Sequence, residues 1–273
     1  MKSIFVMIAS YRDAECEPTI IDLYETASGN YKINVGVVWQ IHDERIPNLL
    51  GFGIKNRVIS AAKSLGCCWA RSLAYEMYSG ENYLFSIDSH SRFEQNWDMS
   101  LVNMLESLPQ KSVISTYPAS YTPQEGKSIA VPHTIVPGDY INGILVPKAI
   151  PCDARIIEQY LVSAGFIFSR GFLFKEVPYD KSIYFNGEEP TLALRLWTHG
   201  WTIYSPGKVV MYHYYNRINT NRHWLDFEVK DLIDKSNKRV YAVMSGSCFD
   251  RFGIGSTRSY HDYMELSKIR RQK

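Results

Sequence analysis

Cysteine is scarce in this 273-residue sequence, and its copies follow no pairing pattern. The 5 cysteines are odd in number, Cys67 and Cys68 are adjacent, and no Cys-x-x-Cys spacing occurs. Disulfide-stapled domains and structural zinc sites depend on paired, regularly spaced cysteines, so both classes are disfavoured. The pattern indicates a reducing compartment, and without a recognisable targeting segment we expect a cytoplasmic protein.

Long apolar runs and an excess of charge of one sign are also lacking. No run approaches the ~20 apolar residues that a membrane-spanning helix needs. The apolar start, Ile4 to Ile8, is too brief for a signal peptide. The 30 basic and 28 acidic side chains give a net charge of +2, with no basic block in either half. We therefore expect neither a transmembrane segment nor a nucleic-acid partner.

Aromatic residues, by contrast, are abundant, with 19 Tyr and 6 Trp in the chain. The 45% of hydrophobic and 21% of charged residues are typical of a soluble globular protein, which excludes a disordered or coiled-coil chain. Rings with polar tips bind the faces of sugars and nucleosides, but they also fill ordinary cores. Composition alone leaves both roles open.

The hydrophobic pattern of the first part of the chain predicts alternating strands and helices. Short apolar runs predict buried strands at 3–9, 33–39, 83–87 and 113–117. Periodic segments between them predict helices at 18–29, 70–77 and 97–108. This alternation predicts an α/β fold in which helices cover both faces of a mostly parallel sheet.

The pattern changes after residue 117. Residues 118–160 hold many Pro and Gly and show little periodicity, and residues 161–177 predict an antiparallel hairpin that turns at Ser169-Arg170-Gly171. A helix is predicted at 188–199, short strands at 201–204 and 209–213, and a charged helix at 222–239. The second half of the fold is therefore expected to be mixed.

The ends of the predicted strands carry the candidate site residues, because open α/β sheets bind ligands beyond the carboxyl ends of their strands. The strongest candidate is Asp88-Ser89-His90, directly after an apolar strand. In extended geometry Asp88 and His90 project to one side and can share a divalent ion. Alternatively, Asp88 caps a turn and His90 lies on the surface. His213 ends a late strand and joins them only if the fold brings it there.

Two further segments can be explained either by ligand binding or by local structure. Ser10, Tyr11 and Arg12 follow the first strand, where they can meet a base, a ribose or a phosphate, or simply form a turn before a helix. Glu188 and Glu189 can hydrogen-bond sugar hydroxyls, but carboxylates at a helix start also interact favourably with the helix dipole.

Several motifs occur in order between residues 3 and 265. Together they resemble the polypeptide α-N-acetylglucosaminyltransferase family, whose eukaryotic members modify hydroxyproline in a cytoplasmic protein. The segments that carry the resemblance are Ser10-Tyr11-Arg12-Asp13, Gly66-Cys67-Cys68-Trp69-Ala70-Arg71, Asp88-Ser89-His90, Asn186-Gly187-Glu188-Glu189 and Gly253-Ile254-Gly255-Ser256-Thr257-Arg258-Ser259.

The resemblance implies a single Rossmann-like domain of the GT-A glycosyltransferase type. We expect this domain at 1–221, with a nucleotide-binding half at 1–117 and an acceptor-binding half at 118–221. A helical extension is expected at 222–273.

The resemblance also implies chemistry. The donor would be UDP-N-acetylglucosamine, the cofactor Mn²⁺ or Mg²⁺, and the acceptor a hydroxyl of a protein, hydroxyproline included, or of a glycan, with retention of anomeric configuration. The metal ligands would be Asp88, His90 and His213, since the similar mucin-type GalNAc-transferases have a distant third ligand that is a His. The remaining roles are donor binding by Ser10, Tyr11, Arg12, Arg71, Asp88 and Ser89, catalysis by Glu188 and Glu189, and sugar or acceptor contact by Asn186 and Trp197.

Other functions fit some of the same residues. A retaining transferase could use UDP-GalNAc, UDP-glucose or UDP-galactose on a glycan acceptor. A metal-dependent phosphoester hydrolase could use the same Asp/His set, although it would favour more clustered ligands than this chain shows. A non-catalytic carbohydrate-binding protein would account for the aromatic residues alone.

Overall fold

A computed structural model describes residues 1–49, 51–217 and 220–269 of the chain. Its main sheet is built on the buried apolar runs, with the strands in the order β11-β13-β6-β12-β4-β1-β2-β3. Their bounds are β1 Ser3–Tyr11, β2 Lys32–Ile41, β3 Ile54–Ser60, β4 Tyr83–Asp88, β6 Ser112–Ile114, β11 Ile157–Gln159, β12 Phe166–Arg170 and β13 Thr202–Ser205.

The sheet is parallel in its first part and mixed in its second. Strands β3, β2, β1 and β4 run parallel, whereas β12 lies antiparallel between β4 and β6. Strand β13 then runs parallel to β6, and β11 closes the edge antiparallel to β13. The predicted α/β architecture, with its parallel first half and mixed second half, is confirmed.

Helices cover both faces of this sheet, as expected for buried parallel strands. Alternate residues of β1 point to opposite cores, with Ile4 and Val6 on the α1 and α3 side and Phe5 and Met7 on the α2 and α5 side. The helix bounds are α1 Cys16–Glu25, α2 Cys67–Tyr75, α3 Trp97–Glu106, α4 Leu173–Glu176, α5 Glu188–Thr198, α6 His223–Asp226, α7 Lys230–Met244 and α8 Tyr260–Ser267.

Two smaller β structures flank the main sheet. One has the order β5-β14-β7-β8, with β14 between β5 and β7, and the other is a hairpin of β9 and β10. The small sheet brings the end of β14 beside the segment that follows β4, because β14 pairs with β5. The bounds are β5 Ser91–Phe93, β7 Ala119–Thr122, β8 Gly126–Lys127, β9 His133–Ile141, β10 Ile144–Pro151 and β14 Met211–His213.

Some predicted elements differ from the structure. The hairpin predicted at 161–177 is wrong: only Phe166–Arg170 forms a strand, which pairs with β4 and β6, and helix α4 follows it. The segment 118–160, without periodicity in the sequence, contains the hairpin of β9 and β10. Several of its side chains, such as Ile141 and Ile150, are exposed, so the sequence lacks the alternation of a half-buried strand. The edge strand β3 also has exposed positions, and for that reason the sequence did not predict it.

The C-terminal helices pack on α5, the helix that begins at Glu188. Val240 of α7 is buried against Gly187, and the backbone N–H of Tyr184 donates to Ser236 Oγ at 2.9 Å. The helix predicted at 222–239 is two helices, α6 and α7. Through these contacts, helix α7 holds the segment before α5 in place. Within the described ranges, no helix combines the length and apolarity that crossing a bilayer requires.

Gly66 allows α2 to begin directly against Tyr184. Its φ is 106°, and a Cβ there would overlap the carbonyl oxygen of Tyr184. That same carbonyl accepts from the N–H of Cys67 at 3.0 Å. The start of α2 is thus fixed by a close backbone approach that a side chain would obstruct.

We expect Gly66→Ala to destabilise the chain more than Gly80→Ala. Both glycines have positive φ, but a Cβ at Gly80 meets nothing within 4 Å. A positive φ costs a residue that has a Cβ about 1–3 kcal/mol of backbone strain at either position. Gly66→Ala adds roughly 1–3 kcal/mol of steric conflict. Urea denaturation measures the difference, and equal losses would contradict the close approach.

Candidate active site

Asp88 lies at the carboxyl end of β4, on the face of the sheet covered by α2. Leu84 of the same strand faces that core, and the alternation of side chains places Asp88 on the same side. Gly165, just before β12, provides the space: a Cβ there would lie 2.9 Å from Cγ of Asp88 and closer still to an oxygen. The carboxylate is thus packed against backbone on one side and remains 27% exposed.

Arg71 of α2 joins this carboxylate to the start of α5. Its Nη2 donates to Asp88 Oδ1 at 2.6 Å, and its Nη1 donates to both oxygens of Glu188 at 2.7 Å. The side chains of Arg71 and Glu188 are each only 6% exposed. Burial would raise the pKa of Asp88, but hydrogen bonding from His213 and the charge of Arg71 hold it far below its usual value. Asp88 is therefore ionised.

Two histidines converge on Asp88. Ligand atoms of Asp88, His90 and His213 lie within 4.8 Å of one another, and His213 Nε2 is 3.1 Å from Asp88 Oδ2. The chain bends at Ser89 and His90, so the convergence comes from the turn and from the pairing of β14 with β5, and not from a continued strand.

The donor set fits a divalent cation. One carboxylate and two imidazoles are ligands that Mn²⁺ and related ions accept. Nε2 is the nitrogen of His213 that faces Asp88, and the buried Nδ1 has no hydrogen-bond partner among the described residues, so no described group fixes which nitrogen carries the proton. A second group, Cys67, Cys68 and Glu188, has similar spacing, but Arg71 already donates to both oxygens of Glu188.

Asp13, on the loop after β1, anchors the segment after β4. Its Oδ2 lies 2.7 Å from His90 Nδ1, accepts from Ser89 Oγ at 2.7 Å and accepts from Arg217 Nη1 at 3.3 Å. Burial would raise the pKa of Asp13, but the hydrogen bonds from His90 and Ser89 lower it overall. The buried, ionised carboxylate of Asp13 therefore holds the imidazole of His90 at Nδ1.

A first cavity of about 240 Å³ lies between β1, α2 and the C-terminal segment. Aromatic rings form much of its wall, and His223 contacts both Tyr11 and Tyr184, with ring centroids 5.4 and 5.7 Å apart. Cationic side chains, those of Arg217 and Arg222, also line it. Asp88, His90 and His213 also line this cavity.

A second cavity of about 260 Å³ adjoins the first, and both share Arg71, Asp88, Phe185 and His213 in their walls. Glu189 lies in the second, where its oxygens accept from Tyr117 Oη and from the N–H of Ala164. Burial, aided by nearby negative charges and only partly opposed by these two hydrogen bonds, raises the pKa of Glu189 to about 7.

Most of the predicted site residues lie around these two cavities. Tyr11, Arg71, Asp88, Ser89, His90 and His213 line the first, and Asn186, Glu188 and Glu189 line the second. Tyr11 also donates to Asp226 at 2.8 Å, which links the first strand to α6.

The structure does not bring Ser10, Arg12 or Trp197 to the described walls of either cavity. The guanidinium of Arg12 pairs with Glu44 and Asp226. The arginine that pairs with Asp88 is Arg71. Trp197 packs on Arg258 and Tyr263 and donates to the carbonyl of Ser259, which is a structural role.

Sequence reasoning missed several residues of the site. Asp13 belongs to the segment Ser10-Tyr11-Arg12-Asp13 but was given no role of its own, and Tyr117 is the last residue of a predicted strand. His223 and Trp224 come from the segment assigned to a separate extension, yet they line the first cavity. Position at or just after the end of a strand could have identified Asp13 and Tyr117, whereas nothing local to the sequence places His223 beside Tyr11.

Comparison with known protein families matches almost the whole chain. A sequence model described as glycosyltransferase (GlcNAc) matches residues 3–50 and 44–273. The chain belongs to this glycosyltransferase (GlcNAc) family. Among curated protein sequences, none matches it.

Solved structures with this fold are distant in sequence. The structure of GalNAc-T7 with UDP, GalNAc and Mn²⁺ is similar over 97% of this chain, with a TM-score of 0.66 and 13% identity. S. aureus TarS 1-349 with UDP-GlcNAc is similar over 92%, with a TM-score of 0.59 and 13% identity. The chain spans 56% of the GalNAc-T7 chain and 68% of the TarS chain. The glycosyltransferase (GlcNAc) family member thus has the GT-A fold.

Loss of the Arg71 guanidinium should destabilise the fold strongly. Arg71→Met leaves Asp88 and Glu188 without their shared cation, and an unpaired buried charge costs about 3–5 kcal/mol. Arg57→Met is the control, because the ion pair of Arg57 with Glu76 is exposed, at 38% and 57%. That pair is worth less than about 1 kcal/mol. Similar unfolding free energies for both variants in urea would contradict this role of Arg71.

Ionisation of Glu189 should lower the free energy of unfolding as the pH rises. Its carboxyl stays protonated in the folded chain up to about pH 7, whereas the unfolded value is 4.5, so the folded state binds the extra proton between these values. Glu189→Gln mimics the protonated form. Relative to the unsubstituted chain, we expect Glu189→Gln to change the free energy of unfolding little at pH 5 and to raise it by about 1–3 kcal/mol at pH 8. Urea denaturation at both pH values measures this, with Glu125→Gln on an exposed turn as control. A pH-independent difference would contradict the raised pKa.

Proposed function

We propose that the chain is a metal-dependent retaining glycosyltransferase that transfers N-acetylglucosamine from UDP-GlcNAc to a hydroxyl group. The observation that carries the proposal is the convergence of Asp88, His90 and His213 where the two cavities meet. A transferase needs a donor pocket and an acceptor pocket with the leaving group between them. This arrangement supplies both pockets and a candidate cation site at their junction.

The first cavity suits a nucleoside diphosphate. Aromatic side chains of Tyr11, Tyr184 and Phe185 offer faces to a base and ribose. Arg217 and Arg222 provide positive charge for the diphosphate. UDP in the GalNAc-T7 complex and UDP-GlcNAc in the TarS complex support a uridine nucleotide-sugar as the donor.

Asp88, His90 and His213 would hold Mn²⁺ or Mg²⁺, and the Mn²⁺ of the GalNAc-T7 structure supports manganese. When bound, such an ion would offset the negative charge that develops on the departing diphosphate. Arg71 keeps Asp88 ionised and fixed in position. Asp88 is therefore ready to act as a ligand without first losing a proton.

The second cavity suits the sugar and the acceptor. Asn186, Glu188 and Glu189 line it, with Tyr117 behind Glu189. Both oxygens of Glu188 accept from Arg71, and those of Glu189 accept from Tyr117 and Ala164. Neither glutamate is a free nucleophile, which supports a front-face route in which the leaving phosphate takes the proton of the acceptor hydroxyl.

The proposal is tested by UDP release from UDP-GlcNAc, UDP-GalNAc, UDP-glucose and UDP-galactose, with Mn²⁺, Mg²⁺ or chelator. We expect a preference for UDP-GlcNAc with Mn²⁺ and loss of turnover with chelator. Asp88→Asn should reduce kcat/KM by about 10²–10³-fold, as for loss of one preorganised electrostatic contact. Asp153→Asn is the control, since Asp153 is 75% exposed.

Three outcomes would contradict parts of the proposal. Full activity in chelator or in Asp88→Asn would overturn the metal assignment. Preference for another UDP-sugar would overturn the choice of donor. Glycan binding without any turnover, unaffected by UDP or metal, would favour a carbohydrate-binding protein.

A further inference from the structure

Asp13 contacts His90, one of the three candidate metal ligands, and side chains on either side of it in the fold. It follows β1, its side chain is 4% exposed, and one oxygen, Oδ2, meets three donor groups. These are the imidazole of His90, the hydroxyl of Ser89 and the guanidinium of Arg217, at 2.7, 2.7 and 3.3 Å. The other oxygen accepts from the N–H of Glu15 at 3.0 Å. Asp13 lines the first cavity, but both oxygens of its carboxylate already bond to donors of the protein itself.

The contact with His90 determines which ring nitrogen is available. A carboxylate oxygen that already accepts from a guanidinium and a hydroxyl is an acceptor, so Nδ1–H of His90 donates to it. In the neutral ring the lone pair then resides on Nε2. Because Nδ1 is engaged by Asp13, Nε2 is the nitrogen that His90 can offer to a cation.

Asp13 also connects the two segments that carry the histidines. His90 follows β4, and Arg217 follows β14, which ends at His213. Both His90 and Arg217 bind the same oxygen of Asp13. A single side chain on the β1 loop therefore restrains the relative placement of His90 and of the segment after His213.

We infer that Asp13 is a positioning residue for the metal centre: it fixes the tautomer and orientation of His90 so that Nε2 faces Asp88 and His213. This inference rests on the proposed function, since it assumes that these residues bind a cation. Outer-shell carboxylates that orient a histidine ligand typically change metal affinity by about 10–100-fold when removed.

The first measurement uses the metal-free chain. Ring ¹⁵N shifts of labelled histidine report the tautomer of neutral His90, and His90→Gln assigns its signals. We expect the wild-type ring to be the Nδ1–H form and Asp13→Ala to give a mixture or the Nε2–H form. Asp13→Asn, whose amide oxygen can still accept, should restore much of the Nδ1–H form. An unchanged tautomer in Asp13→Ala would overturn the inference.

The second measurement is Mn²⁺ affinity by electron paramagnetic resonance. Asp13→Ala should raise the Kd for Mn²⁺ about 10–100-fold, and Asp13→Asn should raise it less. Asp22→Ala is the matched control: Asp22 accepts from the N–H of Phe93 at 2.6 Å and so supports β5 without touching His90. Denaturation curves for each variant establish that the chains compared are folded.

The outcomes separate this inference from the proposed function. Wild-type affinity for Mn²⁺ in folded Asp13→Ala would overturn the role of Asp13 and leave the metal centre intact. An equal loss in Asp22→Ala would show a general structural effect and would also overturn it. A wild-type chain that binds no Mn²⁺ would overturn both the metal centre and the role of Asp13.

Discussion

The buried guanidinium of Arg71 is the interaction on which the rest of the site depends. It joins Asp88, at the end of a parallel strand, to Glu188, at the start of α5. Those carboxylates come from opposite parts of the chain and would repel each other in a buried setting. Removing three charges from water is costly, so the arrangement contributes little net stability. Its effect is geometric, because it fixes the end of β4 relative to the start of α5.

A polar network extends from this ion triad to the edges of the site. Asp88 accepts from His213, Asp13 holds His90 and Arg217, and Tyr11 binds Asp226. Each of these contacts joins residues far apart in sequence. The C-terminal segment, through His223 and Trp224, completes the wall of the first cavity. The two halves and the extension expected from the sequence thus contribute to one continuous site.

The sequence predicted the buried elements well and the exposed ones poorly. Strands such as β1 and β4 are apolar throughout because they are covered on both faces, and that signal does not depend on tertiary context. Strand β3 and the hairpin of β9 and β10 have exposed positions and carry no comparable pattern. Their position at the end of β4 made Asp88 and His90 candidates for the site, and both line the first cavity. The sequence does not show which arginine pairs with Asp88, because Arg71 lies on α2, outside the segment that carries Asp88. Only the packing of α2 decides it.

Gly165 supplies no functional group, yet the space beside it accommodates the carboxylate of Asp88. Any side chain there would occupy the volume of an acid that must stay where Arg71 and His213 meet it. A position in this chain can therefore be intolerant to substitution although its residue takes no part in the chemistry. A scan of single variants should find position 165 as intolerant as the acid it faces, and a search that considered only reactive groups would overlook it. The side chains that line the two cavities can be varied by redesign, but position 165 has to remain glycine.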